Sequence, residues 1–255
     1  MKTCFTINQF RSNDEIKSYC LLFEKELANA IEIFYPIDRD KEGFNNYTNS
    51  INSLLKYNID VVMHLPHGKK YDLCNLDKFE ETFKIMIDAI DYSKNFLVNK
   101  FTLHLGYVNG DRSVVLNHVI NYLIRLCDYA YPRYIMIENM PSSAEMGYSP
   151  EEILYIIKKV NKDNIKFIMD TGHANVSEYE MDDYLNVLKD HLFHLHINDN
   201  NGLRDEHKRI GEGNIDFKNF FSKLSSYQEL YCLEILYNSY QDLITYCNDL
   251  KNIIN

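Results

Sequence analysis

Short apolar runs alternate along this chain with longer segments whose apolar residues recur at helical spacing, from Thr3 through to Ile254. The runs read as strands, the longer segments as helices, and their regular alternation signals βα units around a parallel sheet. Strands are predicted at Thr3 to Ile7, Ala30 to Tyr35, Asp60 to Leu65, Phe101 to Leu105, Tyr134 to Glu138, Ile165 to Asp170, Leu192 to Ile197 and Leu230 to Ile235. Between them, Phe79, Phe83, Met86, Ile87 and Ile90 share one helix face, as do Val115, Val119, Ile120, Leu123 and Leu126. Ser12 to Glu15 reads as a capping box opening the first helix, and the second helix is predicted from Tyr47, after a loop holding Pro36 and Gly43. Ser149 reads as an N-cap with Pro150 at the first helical position and Glu152 placed to bond back to it. Later helices are expected near Met181 to Asp190, around Phe217, Phe220, Phe221 and Leu224, and up to Ile254. Eight strands and eight helices with short connections and no linker predict an α/β fold: a single (β/α)8 TIM barrel over residues 1–255 rather than an open sheet.

The bulk composition adds exclusions. With 45% hydrophobic and 25% charged residues the chain has material for an ordinary globular core. A net charge of −10 argues against a general nucleic-acid binder, since phosphate affinity comes from clustered Lys and Arg. No apolar run is long enough for a bilayer, and MKTCFTINQF lacks the apolar core of a secretion signal, so a cytoplasmic protein without a membrane partner is expected. The six cysteines are scattered without a CxxC pair and read as free thiols.

Polar residues fall at systematic positions. Strands covered on both faces should be apolar, yet His64, His104, Glu138, Asp170, His196 and Glu234 each sit at or near the carboxyl end of a predicted strand. In a barrel that end is the active-site face, so six side chains would converge on one cavity. His67, His173, Asp205 and His207 follow in the adjoining loops. Any one of these taken alone is more often a hydrogen-bonded rim residue. Together, so many buried carboxylates would repel one another without a cation, and an all-nitrogen and oxygen donor set suits Zn, Mn, Co or Mg, at one to three ions per chain.

The densest stretch, LFHLHINDNNGLRDEHKRIGEGNIDF from Leu192 to Phe217, places His194 and His196 on one strand face. An extended backbone would aim Asp205 and His207 the same way. His194, one step deeper than His196, reads as a hydrogen-bonding neighbour or a substrate contact. Glu32 on the second strand faces either the cavity or the helices. Lys69, Lys70, Arg204 and Lys208 are candidates to hold a substrate phosphate, with a solvated loop charge as the plainer reading of each, and His118 and His191 read as surface residues.

In series, HLPHG, LHLG, IEN, MDTGHA, HLHIND, DEH with GEGNIDF, and LEI resemble the xylose isomerase-like barrel superfamily, which holds sugar and sugar-phosphate isomerases and epimerases and the endonuclease IV family (AP endonuclease family 2). Resemblance to the isomerases and epimerases implies one divalent metal on Glu138, Asp170, His196 and Glu234. Glu138 and Glu234 would then shuttle protons through a metal-stabilised enediolate, with His64 near the sugar. Resemblance to endonuclease IV implies three zinc ions on His67, His104, Glu138, Asp170, His173, His196, Asp205, His207 and Glu234, acting on a phosphodiester of DNA. The chain lacks a basic stripe and a match to that family's DNA-inserting side chains, so the sugar or sugar-phosphate enzyme is the first expectation. The AP endonuclease is the alternative, and a metal-binding barrel without catalysis the third. The sequence also leaves room for a homo-oligomer.

Overall fold

The computed structural model describes residues 1–7 and 13–254. Eight parallel strands close into one barrel in sequence order. They are β1 (Lys2–Ile7), β2 (Ala30–Phe34), β3 (Asp60–His64), β4 (Lys100–Leu103), β5 (Tyr134–Glu138), β6 (Ile165–Asp170), β7 (Leu192–Ile197) and β8 (Leu230–Leu233). The helices among the described residues are α1 (Asn13–Glu24), α2 (Lys41–Leu54), α3 (Phe79–Tyr92), α4 (Arg112–Ala130), α5 (Pro150–Val160), α6 (Thr171–Val176), α7 (Met181–Leu188), α8 (Phe217–Ser222) and α9 (Tyr240–Ile254). None is long and apolar enough to cross a membrane.

Period-two alternation sorts the strand residues. One set, with Phe5, Ile31, Met63, Phe101, Ile137, Phe167, Leu195 and Leu233, joins the helices in the main core. The other set fills the barrel with a small separate cluster of Cys4, Ala30, Val62, Met136, Ile168, Leu230 and Cys232. Two residues further along, the same inward rows become ionisable: Glu32 follows Ala30, His64 follows Val62, Glu138 follows Met136 and Asp170 follows Ile168. The chain thus builds an apolar floor and a polar upper barrel from one alternation.

Several element ends differ from expectation for local reasons. Ser12 of the expected capping box lies outside the described residues. The second helix starts at Lys41, because Asp40 caps it by accepting from Gly43 N–H at 2.8 Å, so Gly43 lies inside the helix. Ser149 does cap α5, accepting from Glu152 N–H at 3.1 Å. Glu152 does not reach back; its carboxylate accepts from Gly147 N–H at 2.7 Å and pairs with Arg112 at 2.7 Å. The short helix α6 was not foreseen. All six cysteines are free. His118 and His191 are half-buried rather than on the surface, and the His118 ring sits edge-on to Phe79 at 5.1 Å.

Candidate metal centre

Glu138, at the end of β5, is fully buried and stands where the donor groups meet. Its Oε2 is 3.0 Å from His104 Nε2 and 3.8 Å from His64 Nε2. Its Oε1 is 3.1 Å from His196 Nδ1 and 3.5 Å from His173 Nδ1. His196 Nδ1 is also 2.9 Å from Glu234 Oε2 and 3.9 Å from Asp170 Oδ2. Glu138, Asp170, His196 and Glu234 each offer a ligand atom within 4.8 Å of the others, and so do His64, His104 and Glu138. Beside them Asp205 Oδ2 lies 3.3 Å from His173 Nε2 and 2.9 Å from His207 Nε2.

Local structure explains how MDTGHA reaches this point. Asp170 ends β6 and caps α6, with Oδ1 accepting from His173 N–H at 2.6 Å, while Oδ2 accepts from Asn198 Nδ2–H at 2.9 Å. A Cβ on Gly172 would come within 1.8 Å of Asn198 Oδ1, so only glycine lets the helix start this close to the loop after β7. That loop is folded around Asp199, whose carboxylate accepts from the N–H groups of Asn200, Gly211, Gly213 and Ile215 at 2.9 to 3.3 Å. A Cβ on Gly213 would lie 2.2 Å from Asn200 O, which fixes the second glycine of Gly-Glu-Gly. Asp205 and His207 do converge, though not on an extended backbone: His207 has φ +48°, an uncommon conformation outside glycine that marks functional loops when held in place. It is held here by Leu236 N–H donating to His207 O at 3.0 Å. Asp199→Ala is expected to destabilise the protein by about 2–4 kcal/mol, because one buried and three part-buried N–H groups lose a shared carboxylate acceptor. Metal uptake through Asp205 and His207 should fall with it. An unchanged urea midpoint would contradict this role.

The histidine tautomers follow from partners that can only accept. His64 Nδ1 meets Leu65 O at 2.9 Å, His173 Nδ1 meets Asn139 O at 2.9 Å, and His207 Nδ1 meets Glu234 O at 2.8 Å. His196 Nε2 meets the carboxylate of Glu32 at 2.9 Å. Each of these nitrogens must donate, which leaves the other nitrogen of each ring bare and turned towards the carboxylates. Bare lone pairs facing carboxylates repel unless a proton or a cation lies between them. Asp205 Oδ1 is, in addition, buried with no hydrogen-bond partner. On this chemistry the donor set fits divalent metal ions.

With protons alone in the centre, titration is strongly displaced. Burial pushes the Glu138 carboxyl up, but the imidazoles of His196 and His104 outweigh it and hold it well below the usual range. Burial lowers His196, yet the carboxylates of Glu234, Glu32 and Glu138 hold it well above an ordinary imidazole. His173 is raised in the same way by Asp170 and Asp205, and His207, against burial, is raised to about 10 by Asp205 and Glu234. Burial lifts Asp170 to about 6, with Glu138 and Glu234 adding to it. Raised imidazoles stabilise the metal-free fold fully below the unfolded value of about 6.5, and that contribution is lost as pH climbs through the folded values. The melting temperature of the metal-free protein should therefore fall between about pH 6.5 and 10, while the zinc-loaded protein, its imidazoles already deprotonated, should not follow. Parallel curves for the two forms would show that these imidazoles hold no metal.

The other anticipated residues divide. His67 is at the rim, its Nδ1 3.2 Å from His64 Nδ1 and its ring 4.7 Å from that of His104. His64 stands closer to Glu138 than expected of a sugar contact: it is 2% exposed and stacks under Phe34 at 5.0 Å. His194 is fully buried beneath the centre and donates to Glu32 at 3.0 Å. Lys69 and Arg204 are exposed. Lys70 pairs with Asp38 at 2.7 Å and Lys208 with Glu206 at 2.7 Å, so both are already neutralised. Tyr71 OH also donates to Asp38, at 3.0 Å, which ties the loop after β3 to the loop after β2. Glu32, left open between two faces, points inward. The supporting roles of Asn139, Asn198 and Asp199 escaped sequence reasoning, although the Asn-Asp pair directly after His196-Ile197 was the available signal.

Comparison with known proteins agrees with this architecture. Residues 27–248 match the family described as xylose isomerase-like TIM barrel. An uncharacterized protein of Methanocaldococcus jannaschii is 31% identical over 66% of this chain, and the match spans 61% of that protein's length. A probable endonuclease 4 of Mycoplasmopsis pulmonis is 27% identical over 72% of this chain and 71% of its own. The crystal structure of a D-tagatose 3-epimerase-like protein superposes with a TM-score of 0.81 over 100% of this chain and 97% of its own, at 24% identity, a likeness of fold.

Proposed function

The chain belongs to the xylose isomerase-like TIM barrel family, and from that premise we propose that it is a divalent-metal-dependent phosphoester hydrolase with a multinuclear centre. The observation that carries this reading is the position of Glu138, whose two oxygens face different imidazoles: His104 and His64 on one side and His196 on the other. A shared carboxylate of this kind suits neighbouring cations, and paired cations suit in-line displacement at phosphorus. His67, His104 and His64 would hold one ion with Glu138. Asp170, His196 and Glu234 would complete the next, and His173, Asp205 and His207 a third. When bound, such ions act as Lewis acids on phosphoryl oxygens and lower the pKa of water.

The chain's own residues then do the rest. Glu234, with its side chain 16% exposed, is the carboxylate of the central group that solvent reaches, which supports reading it as the group that would take a proton from an attacking water. Lys69 and Arg204 at the rim supply positive charge for an incoming phosphate. The pinned loop after β3 and the neutralised Lys70 and Lys208 favour a small phosphoester over a duplex.

A sugar or sugar-phosphate epimerase is the second reading. It is favoured by the compact quartet of Glu138, Asp170, His196 and Glu234, which suffices for one ion, and by the fold shared with the D-tagatose 3-epimerase-like protein. It needs Glu138 to exchange a proton with a sugar carbon. A carboxylate hemmed in by imidazoles on both oxygens is poorly placed for that, and Asp205 and His207 would be left without a task.

Protein loaded with Zn²⁺ or Mn²⁺ is expected to release nitrophenol from bis(p-nitrophenyl) phosphate, and to leave sugars unlabelled in D₂O. Deuterium entering a sugar at the carbon next to its carbonyl, without phosphoester cleavage, would reverse the two readings.

A further inference from the structure

We infer that Glu32 is a positioning residue for the metal centre: its carboxylate fixes the ring of His196 with Nε2 protonated and thereby presents Nδ1 as the ligating nitrogen. The inference rests on metal binding by Glu138, Asp170, His196 and Glu234, and not on the reaction assigned to them.

Glu32 lies on β2 with no exposed surface, paired in register with Thr6 and Val62. Its Oε1 accepts from Thr102 Oγ1–H at 2.6 Å. Its Oε2 is 2.9 Å from His196 Nε2 and 3.0 Å from His194 Nε2. An ionised carboxylate only accepts, so both imidazoles must carry a proton on Nε2. In His196 this leaves the Nδ1 lone pair facing Glu234 at 2.9 Å and Glu138 at 3.1 Å. His194 donates its Nε2 proton to the same Glu32 oxygen, and its Nδ1 is buried without a hydrogen-bond partner.

Packing does not account for an acid here. The layer immediately below is Cys4, Ala30, Val62, Met136, Ile168, Leu230 and Cys232, and burying a carboxylate above it costs desolvation that an apolar side chain would avoid. What the carboxylate adds is orientation and basicity. The rings of His64, His173 and His207 are steadied by backbone carbonyls, whereas His196 is steadied by a charge, the arrangement that strengthens a ligating imidazole. Glu32, His194, His196 and Cys232 also offer ligand atoms within 4.8 Å of one another. A metal on Glu32 Oε2 and the two Nε2 atoms would have to displace both imidazole donors and strip their protons, so hydrogen bonding is the arrangement the distances favour.

The test uses protein labelled with ¹⁵N-histidine and loaded with ¹¹³Cd²⁺. In the wild type, cadmium coupling is expected at His196 Nδ1, with its Nε2 protonated. Glu32→Gln can still accept both imidazole protons through its amide oxygen, so the fold should persist, with the metal-free melting temperature lowered because protonated His196 loses one of its carboxylate partners. Its affinity for Cd²⁺ or Zn²⁺, measured against a chromophoric chelator, should fall roughly 10- to 100-fold. Coupling at Nε2, or equal affinity in the two proteins, would overturn the inference while leaving the metal centre standing. Should the variant not fold, the wild-type coupling pattern decides alone. A wild type that takes up no metal would overturn the proposed function itself, and this inference with it.

Discussion

Glu138→Gln is expected to lower metal-dependent hydrolysis by roughly 10³-fold or more and to reduce the metal bound by at least one ion. The substitution preserves shape and removes only the charge that His104 and His196 share from opposite sides. In the metal-free protein it leaves protonated His196 short of a partner in a fully buried position, so a loss of about 3 kcal/mol in stability should accompany it. Activity and metal content would be measured on protein that circular dichroism shows to be folded. Hydrolysis within tenfold of wild type would mean that Glu138 does not join the donor groups.

Asp205→Asn separates the two chemistries. Asp205 lies between His173 and His207, and its Oδ1 is buried with no partner. Under phosphoester hydrolysis the variant should lose one ion and about 10²- to 10³-fold in kcat, because a cation that steadies charge at phosphorus is gone. The quartet of Glu138, Asp170, His196 and Glu234 does not include Asp205 and should keep its own ion. A one-metal epimerase would show the reverse pattern: an intact metal count and, at most, a raised KM for sugar.

The barrel was legible because one physical rule governs every strand. Period-two alternation puts Val62 and His64, or Met136 and Glu138, on the same inward row, and the switch from apolar to ionisable along that row marks the open end without any view of the structure. The seventh strand, Leu192–Ile197, matched its observed bounds for this reason. Local rules also found Ser149 and Pro150 at the start of α5. Where a residue had two partners to choose from, sequence could not choose. Glu152 took Arg112 and the Gly147 N–H over its own helix start, a contact across 40 positions of sequence for Arg112.

Within the centre, the residue types were legible but their grouping was not. Resemblance pointed to His67 beside His104, and its ring does lie 4.7 Å from that of His104, but His64 also joins His104 and Glu138 as a compact trio. Two histidines three positions apart in one turn can both reach the same carboxylate, and spacing alone does not tell them apart. Glu32 was ambiguous because a strand residue faces inward or outward according to register, and only its pairing with Thr6 and Val62 fixes the face. Asp199 organises the loop that carries Asp205 and His207 through backbone N–H groups up to 16 positions away, which no local pattern announces.

Metal content per chain, measured by inductively coupled plasma mass spectrometry after zinc saturation and gel filtration, tests the central claim most directly. Three donor groups around Glu138 predict about three zinc ions per chain, falling by about one in Asp205→Asn. A single ion, unaffected by that substitution, would contradict the account.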